Sequence, residues 1–132
     1  MRIYVLVTGV DPLKIYVYQE GLIRFASEKY SNTFENRYAH LTNYSLNKKN
    51  DWAPEPDEDN DLKWTLTHLS KKMKEIGIDT GPIWSKIYDI IIKSFLSIDN
   101  HILAGIDKAG NWNHNAFELL GYDIIIDNNL DP

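Results

Sequence analysis

The sequence of 132 residues contains no cysteine. That absence removes disulfides, thiol nucleophiles and Cys-type zinc sites together. Basic side chains are also scarce: 14 Lys and Arg stand against 19 Asp and Glu, a net charge of −5. Gripping a phosphate backbone without sequence preference needs cations in excess, so no nucleic-acid partner is expected. Long hydrophobic runs are missing too. Charges cut each apolar stretch within a few residues, so no segment is expected to span a bilayer and no membrane partner is expected. Arg2 leads into strand-like residues with no small-residue cleavage site behind them, which argues against a signal peptide. Neither a Walker-type glycine loop nor G-x-G-x-x-G occurs, and the four histidines are too scattered to argue a Ser/His/Asp order.

What is present is an ordinary globular composition, 43% hydrophobic and 25% charged, in a length that suits one domain. Arg2 to Thr8 is rich in β-branched and aromatic residues and apolar on both parities, which predicts a strand covered on both faces. A turn at Gly9–Pro12 leads to a second strand, Lys14–Tyr18. Glu20–Gly21 then predicts a tight connection into a third strand, Leu22–Ala26, completing an antiparallel meander. Asp51 to Asp61 holds six acids and two prolines and predicts an exposed, mobile acidic loop. Leu62, Leu66, Leu69, Met73 and Ile76 form one helical stripe ended by Gly77. A second helix opens at Pro82 and runs to about Asp99, and its two apolar stripes predict burial round most of its circumference. Gly105–Asn113 reads as a loop and Tyr122–Ile126 as the last strand. The fold class expected is α+β, an antiparallel sheet with packed helices.

Four features carry possible chemistry. Arg2 and Arg24 sit on predicted strands, and a guanidinium cannot shed its charge when covered. They read either as an anion site for phosphate or carboxylate, or as structural pairs with a carboxylate. His40-Leu41-Thr42-Asn43 offers an imidazole, a hydroxyl and an amide in one short turn. Such a set can hold a nucleotide or simply satisfy its own backbone. Asp123 lies among apolar strand residues and needs a partner: an arginine, a backbone donor or a metal. Asp127 lies four residues on, about 13 Å along a straight strand, whereas magnesium–oxygen bonds are about 2.1 Å. One ion cannot join the two, and Asp127 reads as a turn residue.

Taken together, the motifs resemble the tubulin tyrosine ligase-like family. Arg2-Ile-Tyr-Val-Leu-Val-Thr, Asp11-Pro12-Leu13-Lys14-Ile15-Tyr16 and Glu20-Gly21-Leu22-Ile23-Arg24-Phe25-Ala26 look like its central sheet. His40 to Asn50, the Lys63-Trp64 pair and Phe117 to Asp127 are similar to three further blocks, in the family's order. The Asn-Tyr-Ser-Leu-Asn-Lys-Lys-Asn form is closest in kind to the polyglutamylase branch, with a glycylase or another glutamylase subtype as alternatives. The resemblance implies a partial ATP-grasp fold, with ATP and Mg2+ as cofactors. It implies an activity joining free glutamate to glutamate side chains of acidic tubulin C-terminal tails through an acyl phosphate. By matched position Arg2 and Arg24 are expected to contact phosphate, the acyl intermediate or a substrate carboxylate. His40, Leu41, Thr42 and Asn43 are expected to line the ATP pocket, and Asp123 to hold magnesium. Lys48 and Lys49 are candidates for attracting the tail. The implied setting is cytoplasmic, on the microtubule cytoskeleton or in a cilium or flagellum.

The family pattern continues into a Glu-x-Asn magnesium pair beyond Pro132 and has nucleotide-binding lysines before Arg2. The chain is therefore expected to be a fragment, truncated at both ends and inactive when isolated. The competing expectation is a non-catalytic module that recognises acidic tubulin tails, or an inactive truncated product.

Overall fold

The computed structural model describes residues 1–51, 61–108 and 116–132. Most of the expected acidic loop, and the end of the loop expected at Gly105–Asn113, lie outside the described residues.

The alternation Ile3, Val5, Val7 organises the molecule. These side chains leave strand β1 (Arg2–Val10) on one face and are buried. A turn at Asp11–Pro12 returns the chain as β2 (Leu13–Arg24), antiparallel to β1. Two short helices follow, α1 (Arg37–His40) and α2 (Tyr44–Asn47). Strand β3 (Lys63–Thr65) leads directly into helix α3 (Leu66–Glu75), and α4 (Gly81–Leu96) and α5 (Asp99–Lys108) come next. Strand β4 (Glu118–Asp123) closes a four-stranded sheet of order β3-β2-β1-β4, antiparallel throughout. The architecture is α+β, with helices packed on one face of an antiparallel sheet.

The core lies between that face and the helices. Ile3, Val5, Val7 and Ile23 from the sheet meet Leu66 of α3 and Ile83, Ile87, Ile91 and Phe95 of α4. Spacing of four residues puts the α4 contributors on one stripe, so the expected burial round most of the helix is not found: Tyr88, Ile92 and Leu96 are exposed. Among the described residues nothing covers the second face of β1 either, and Tyr4, Tyr16, Tyr18 and Leu119 line an open depression there.

Three further differences have local causes. The expected hairpin at Glu20–Gly21 is absent, because β2 runs unbroken through both residues. Between the pairs Val5–Val17 and Ile3–Gly21, three residues of β2 pass against one of β1, a bulge in a continuous ladder. Bulges re-aim side chains, and here Gly21 is pressed so close to β1 that a Cβ would stand 2.3 Å from the Arg2 carbonyl oxygen. The first long helix begins at Leu66 rather than Leu62, because Thr65 caps it by accepting from the His68 N–H at 3.0 Å. Gly105 lies inside α5 and not in a loop; Ile102, Leu103 and Ile106 supply the helical spacing there. Gly77, with φ of 81°, ends α3 as expected. Strand β4 stops at Asp123, earlier than the expected Ile126, and one more backbone bond ties Ile124 N–H to the Met1 carbonyl at 2.9 Å.

Candidate functional site

Antiparallel partners point to the same side of a sheet, so the register fixes which side chains gather. Asp123, Arg2, Leu22 and Thr65 form one row across the four strands. Arg24 and Lys63 are partners in the next row, on the same face. That face is opposite the one bearing Ile3, Val5 and Val7. Both arginines and the lone strand aspartate thus share one end of one sheet face.

Arg2 and Asp123 meet directly. Nε donates to Oδ1 at 2.8 Å and a terminal guanidinium nitrogen donates to Oδ2 at 2.9 Å. Gly121, opposite Tyr4 on β4, makes room for this fork, since a Cβ there would stand 2.8 Å from Nη1 of Arg2. The pair is wet, with the Asp123 side chain 73% exposed. Hydrogen bonds from Arg2 hold the Asp123 carboxyl below its ordinary range, and the same bonds raise the arginine. Arg24 has no ion-pair partner among the described residues.

The turn block reaches the same end of the sheet through Asn47. This residue is wholly buried. Its Oδ1 accepts from the backbone N–H of Ser27 at 2.9 Å and from the Ser27 hydroxyl at 2.7 Å. Its Nδ2 donates to the carbonyls of Leu41 at 2.6 Å and Asn43 at 3.0 Å. One amide therefore ties residues 41–43 to the chain leaving β2, three residues after Arg24. Asn50 extends the network, donating to Ser27 Oγ and to Glu28 Oε1 at 3.0 and 2.9 Å.

Within the block the four residues differ. His40 is partly buried between Tyr30 and Phe34, with its Nε2 donating to the Thr33 carbonyl at 2.8 Å. That arrangement orders the 30–40 segment. Leu41 is 48% exposed. Thr42 and Asn43 are exposed, and neither side chain has a hydrogen-bond partner among the described residues. Their hydroxyl and amide remain available. Lys48 and Lys49 follow α2 and are exposed.

Sequence reasoning read Glu20 only as part of a tight connection and gave Asn47 and Tyr44 no individual role. The β2 bulge delivers Glu20 to the start of α3. Its Oε1 accepts from the N–H groups of Gly21, Leu66 and Thr67 at 2.9, 2.8 and 3.3 Å, and its Oε2 accepts from the Thr67 hydroxyl at 2.6 Å. The Thr67 hydroxyl first, then the Gly21 N–H, lowers this carboxyl below its ordinary range. A depressed carboxylate stabilises the fold fully above its unfolded pKa, and that contribution is lost as pH falls through the lower folded value. Glu20→Gln is expected to be less stable than the parent at neutral pH, with the difference shrinking steadily through the acid range. Urea midpoints across pH measure it; a pH-independent difference contradicts the assignment. The sequence signal for Glu20 was a charge flanking a strand glycine, which reads equally well as a turn.

The donor set can be compared with what a phosphate-bound magnesium requires. Such an ion takes one or two carboxylates and fills its remaining positions with phosphate oxygens and water. Asp123 is exposed, and each oxygen accepts one hydrogen bond, leaving lone pairs free. It fits the single-carboxylate role. Among the described residues no group of three or more His, Asp or Glu side chains could cage a metal. Arg24 and Lys63 fit the anionic partner.

Cations, a carboxylate and a tethered polar turn thus lie together at one end of an antiparallel sheet in an α+β unit. The model of the tubulin-tyrosine ligase family matches residues 1–132, and the chain belongs to that family, whose fold is ATP-grasp-like. The chain is 40% identical over 138 residues to tubulin monoglutamylase TTLL4 of Mus musculus, covering 100% of this chain and 12% of that protein. It is 40% identical over 139 residues to tubulin polyglutamylase TTLL5 of Mus musculus, covering 100% of the chain and 10% of the relative. It is 42% identical over 135 residues to the probable tubulin polyglutamylase TTLL2 of Homo sapiens, covering 100% and 22%. The chain thus spans between 10% and 22% of the length of these curated relatives. Among the described residues no helix is long and apolar enough to cross a membrane.

Proposed function

We propose that the chain is the central part of an ATP-dependent ligase that joins free glutamate to glutamate side chains of tubulin tails. The observation carrying this reading is the gathering of Arg2, Arg24, Lys63 and Asp123 on one sheet face beside the 40–43 turn. Family membership and the glutamylase names of the relatives support it. The working setting is the microtubule cytoskeleton of the cytoplasm or of a cilium.

In the reaction, an acceptor carboxylate oxygen attacks the γ-phosphorus of ATP, the bond to the bridging oxygen breaks, and ADP leaves. The amino group of the incoming glutamate then attacks the acyl carbon, loses a proton, and expels phosphate to form the amide. Both steps concentrate negative charge on oxygens beside the sheet end. Arg24 meets that charge with a guanidinium carried on backbone that the β2–β3 ladder fixes, an electrostatic stabilisation of the charge as it develops. Thr42 and Asn43 present free polar atoms to the nucleotide, their backbone held by Asn47. Asp123 would hold magnesium, which when bound neutralises phosphate charge. Arg2 holds the Asp123 carboxylate ionised and oriented.

ATP-dependent incorporation of radiolabelled glutamate into tubulin tests the proposal, using the full reading frame that contains this chain. Arg24→Ala is expected to cut incorporation by roughly a hundredfold to a thousandfold, the scale of losing one preorganised charge-stabilising group. Its melting temperature should stay near the parent value, because no described ion pair is broken. A loss below threefold returns Arg24 to a structural role.

A second reading is favoured by one observation: Arg2 and Asp123 neutralise each other. A sheet face whose strand carboxylate is already paired suits a non-catalytic module that binds acidic tails. Tail binding without ATP-dependent incorporation would select it.

A further inference from the structure

Strand β3 is three residues long and lies at the edge of the sheet, yet it carries Lys63. Strands more commonly run about five or six residues, and a shorter one has few ladder bonds to fix its register. Neighbours on a strand point to opposite faces, so a slip of one residue changes every side chain over. Here such a slip would carry Lys63 to the helix-packed face and bring Trp64 out beside Arg24. The observed register instead sets Lys63 opposite Arg24.

Both ends of β3 are fastened to β2. At one end the Phe25 N–H donates to the Leu62 carbonyl at 2.9 Å. Bonded and non-bonded pairs alternate along an antiparallel ladder. The bonded positions therefore fall at Phe25–Leu62, at Ile23–Trp64 and next at Gly21–Leu66. The ladder stops short of that third position. There the Leu66 N–H goes to Glu20 Oε1 at 2.8 Å, and the same oxygen accepts from the Gly21 N–H of β2 at 2.9 Å. The other carboxylate oxygen accepts from the Thr67 hydroxyl at 2.6 Å. One side chain thus takes over from the ladder where β3 ends. Gly21 permits the close approach, since a Cβ there would stand 3.0 Å from Leu66 Cδ1. Trp64 also holds β3, with Phe25 and His68 at ring-centroid distances of 4.9 and 4.7 Å. Apolar burial is not directional, whereas the four hydrogen bonds received by Glu20 admit one alignment.

We propose that Glu20 is a positioning residue, whose carboxylate holds β3 in the register that presents Lys63 beside Arg24. Glu20 touches neither cation and acts through the strand. The inference deepens the ligase reading and rests on it only for the effect on incorporation.

A double-mutant cycle in the full reading frame that contains this chain tests the proposal. Lys63→Ala is expected to lower ATP-dependent glutamate incorporation by roughly a hundredfold, as for other charge-stabilising groups. Glu20→Ala is expected to lower it by about tenfold, within the range of couplings inside one network. With Lys63→Ala already in place, adding Glu20→Ala should cost less than about twofold, because no lysine is left to position. Glu20→Gln keeps one acceptor oxygen for the backbone N–H groups and should recover most of the loss. Residue-resolved hydrogen exchange gives a second readout. The Trp64 N–H, inside β3, should exchange several-fold faster in Glu20→Ala. Losses that multiply in the double variant overturn the proposal, since general destabilisation acts whether or not Lys63 is present. Faster exchange confined to Leu66 and Thr67 also overturns it and leaves Glu20 as a helix cap. A parent without incorporation would sink the ligase reading, and exchange at Trp64 would then decide the register by itself.

Discussion

Asp123→Asn is expected to lower ATP-dependent glutamate incorporation by roughly three orders of magnitude while the protein stays folded, as the combined loss of a metal ligand and of charge stabilisation implies. The substitution keeps the size of the side chain and one carbonyl oxygen, so packing around Gly121 and Tyr122 is undisturbed. It removes the negative charge that both Arg2 and a magnesium ion would use. Stability should barely respond, because exposed ion pairs contribute little and this carboxylate is 73% exposed. Steady-state incorporation assays with thermal melts of the same preparations check both halves. Activity within threefold of the parent would remove Asp123 from the site and leave its bond to Arg2 as a strand fastening. A collapse of the melting temperature would show that the pair is structural after all. Raised magnesium concentration should restore part of the lost activity if the defect is ligation of the ion, and none if Arg2 has merely lost its orienting partner.

The second large effect is on stability. Asn47→Leu is expected to destabilise the fold by about 3 kcal/mol, since an unsatisfied buried polar group costs about 1–3 kcal/mol. Leucine has nearly the shape of asparagine but can neither donate to the carbonyls of Leu41 and Asn43 nor accept from Ser27. Two backbone groups, the Leu41 carbonyl and the Ser27 N–H, lose their partner around a side chain that is wholly buried, while the Asn43 carbonyl keeps the N–H groups of Leu46 and Asn47. The full sum of penalties should not appear, because the turn can open to water. For a domain of this size the loss corresponds to a fall of roughly 10 °C in melting temperature. Asn47→Asp should also destabilise, retaining the acceptor for Ser27 while burying a charge and losing both donations. Differential scanning calorimetry reads these shifts. A change under about 0.5 kcal/mol, the scale of ordinary surface substitutions, would mean that the amide is not the tether between the turn and β2.

How much of this was legible beforehand varies by residue, and the reason is the range of the interaction involved. The alternation of Ile3, Val5 and Val7, the four-residue spacing along α4, the stop at Gly77 and the start at Pro82 depend on neighbours a few positions away. Asp127 was also legible as a turn residue: its Oδ1 accepts from the N–H groups of Asn129 and Asp131 at 2.9 and 2.8 Å. Glu20–Gly21 was misread because a strand glycine flanked by a carboxylate has the same local appearance as a turn. Only α3, 46 positions on from Glu20 to Leu66, shows that the carboxylate has a partner elsewhere. Local pattern likewise could not reveal that no described residue covers the second face of β1, since an apolar residue looks the same whether or not another layer covers it.

The candidate site divides along the same line. The amino-acid order alone supplied the cast: two arginines on strands, a polar turn at His40–Asn43, and one carboxylate among isoleucines. It also excluded thiol, disulfide and Cys-zinc chemistry. Tertiary structure decided the pairings. Register brought Arg2 against Asp123 across 121 positions and set Arg24 opposite Lys63, while a buried amide at Asn47 fastened the turn beside them. Hydrogen-bond register and the placing of one buried amide are cooperative properties of the whole sheet, so no window of neighbouring residues encodes them.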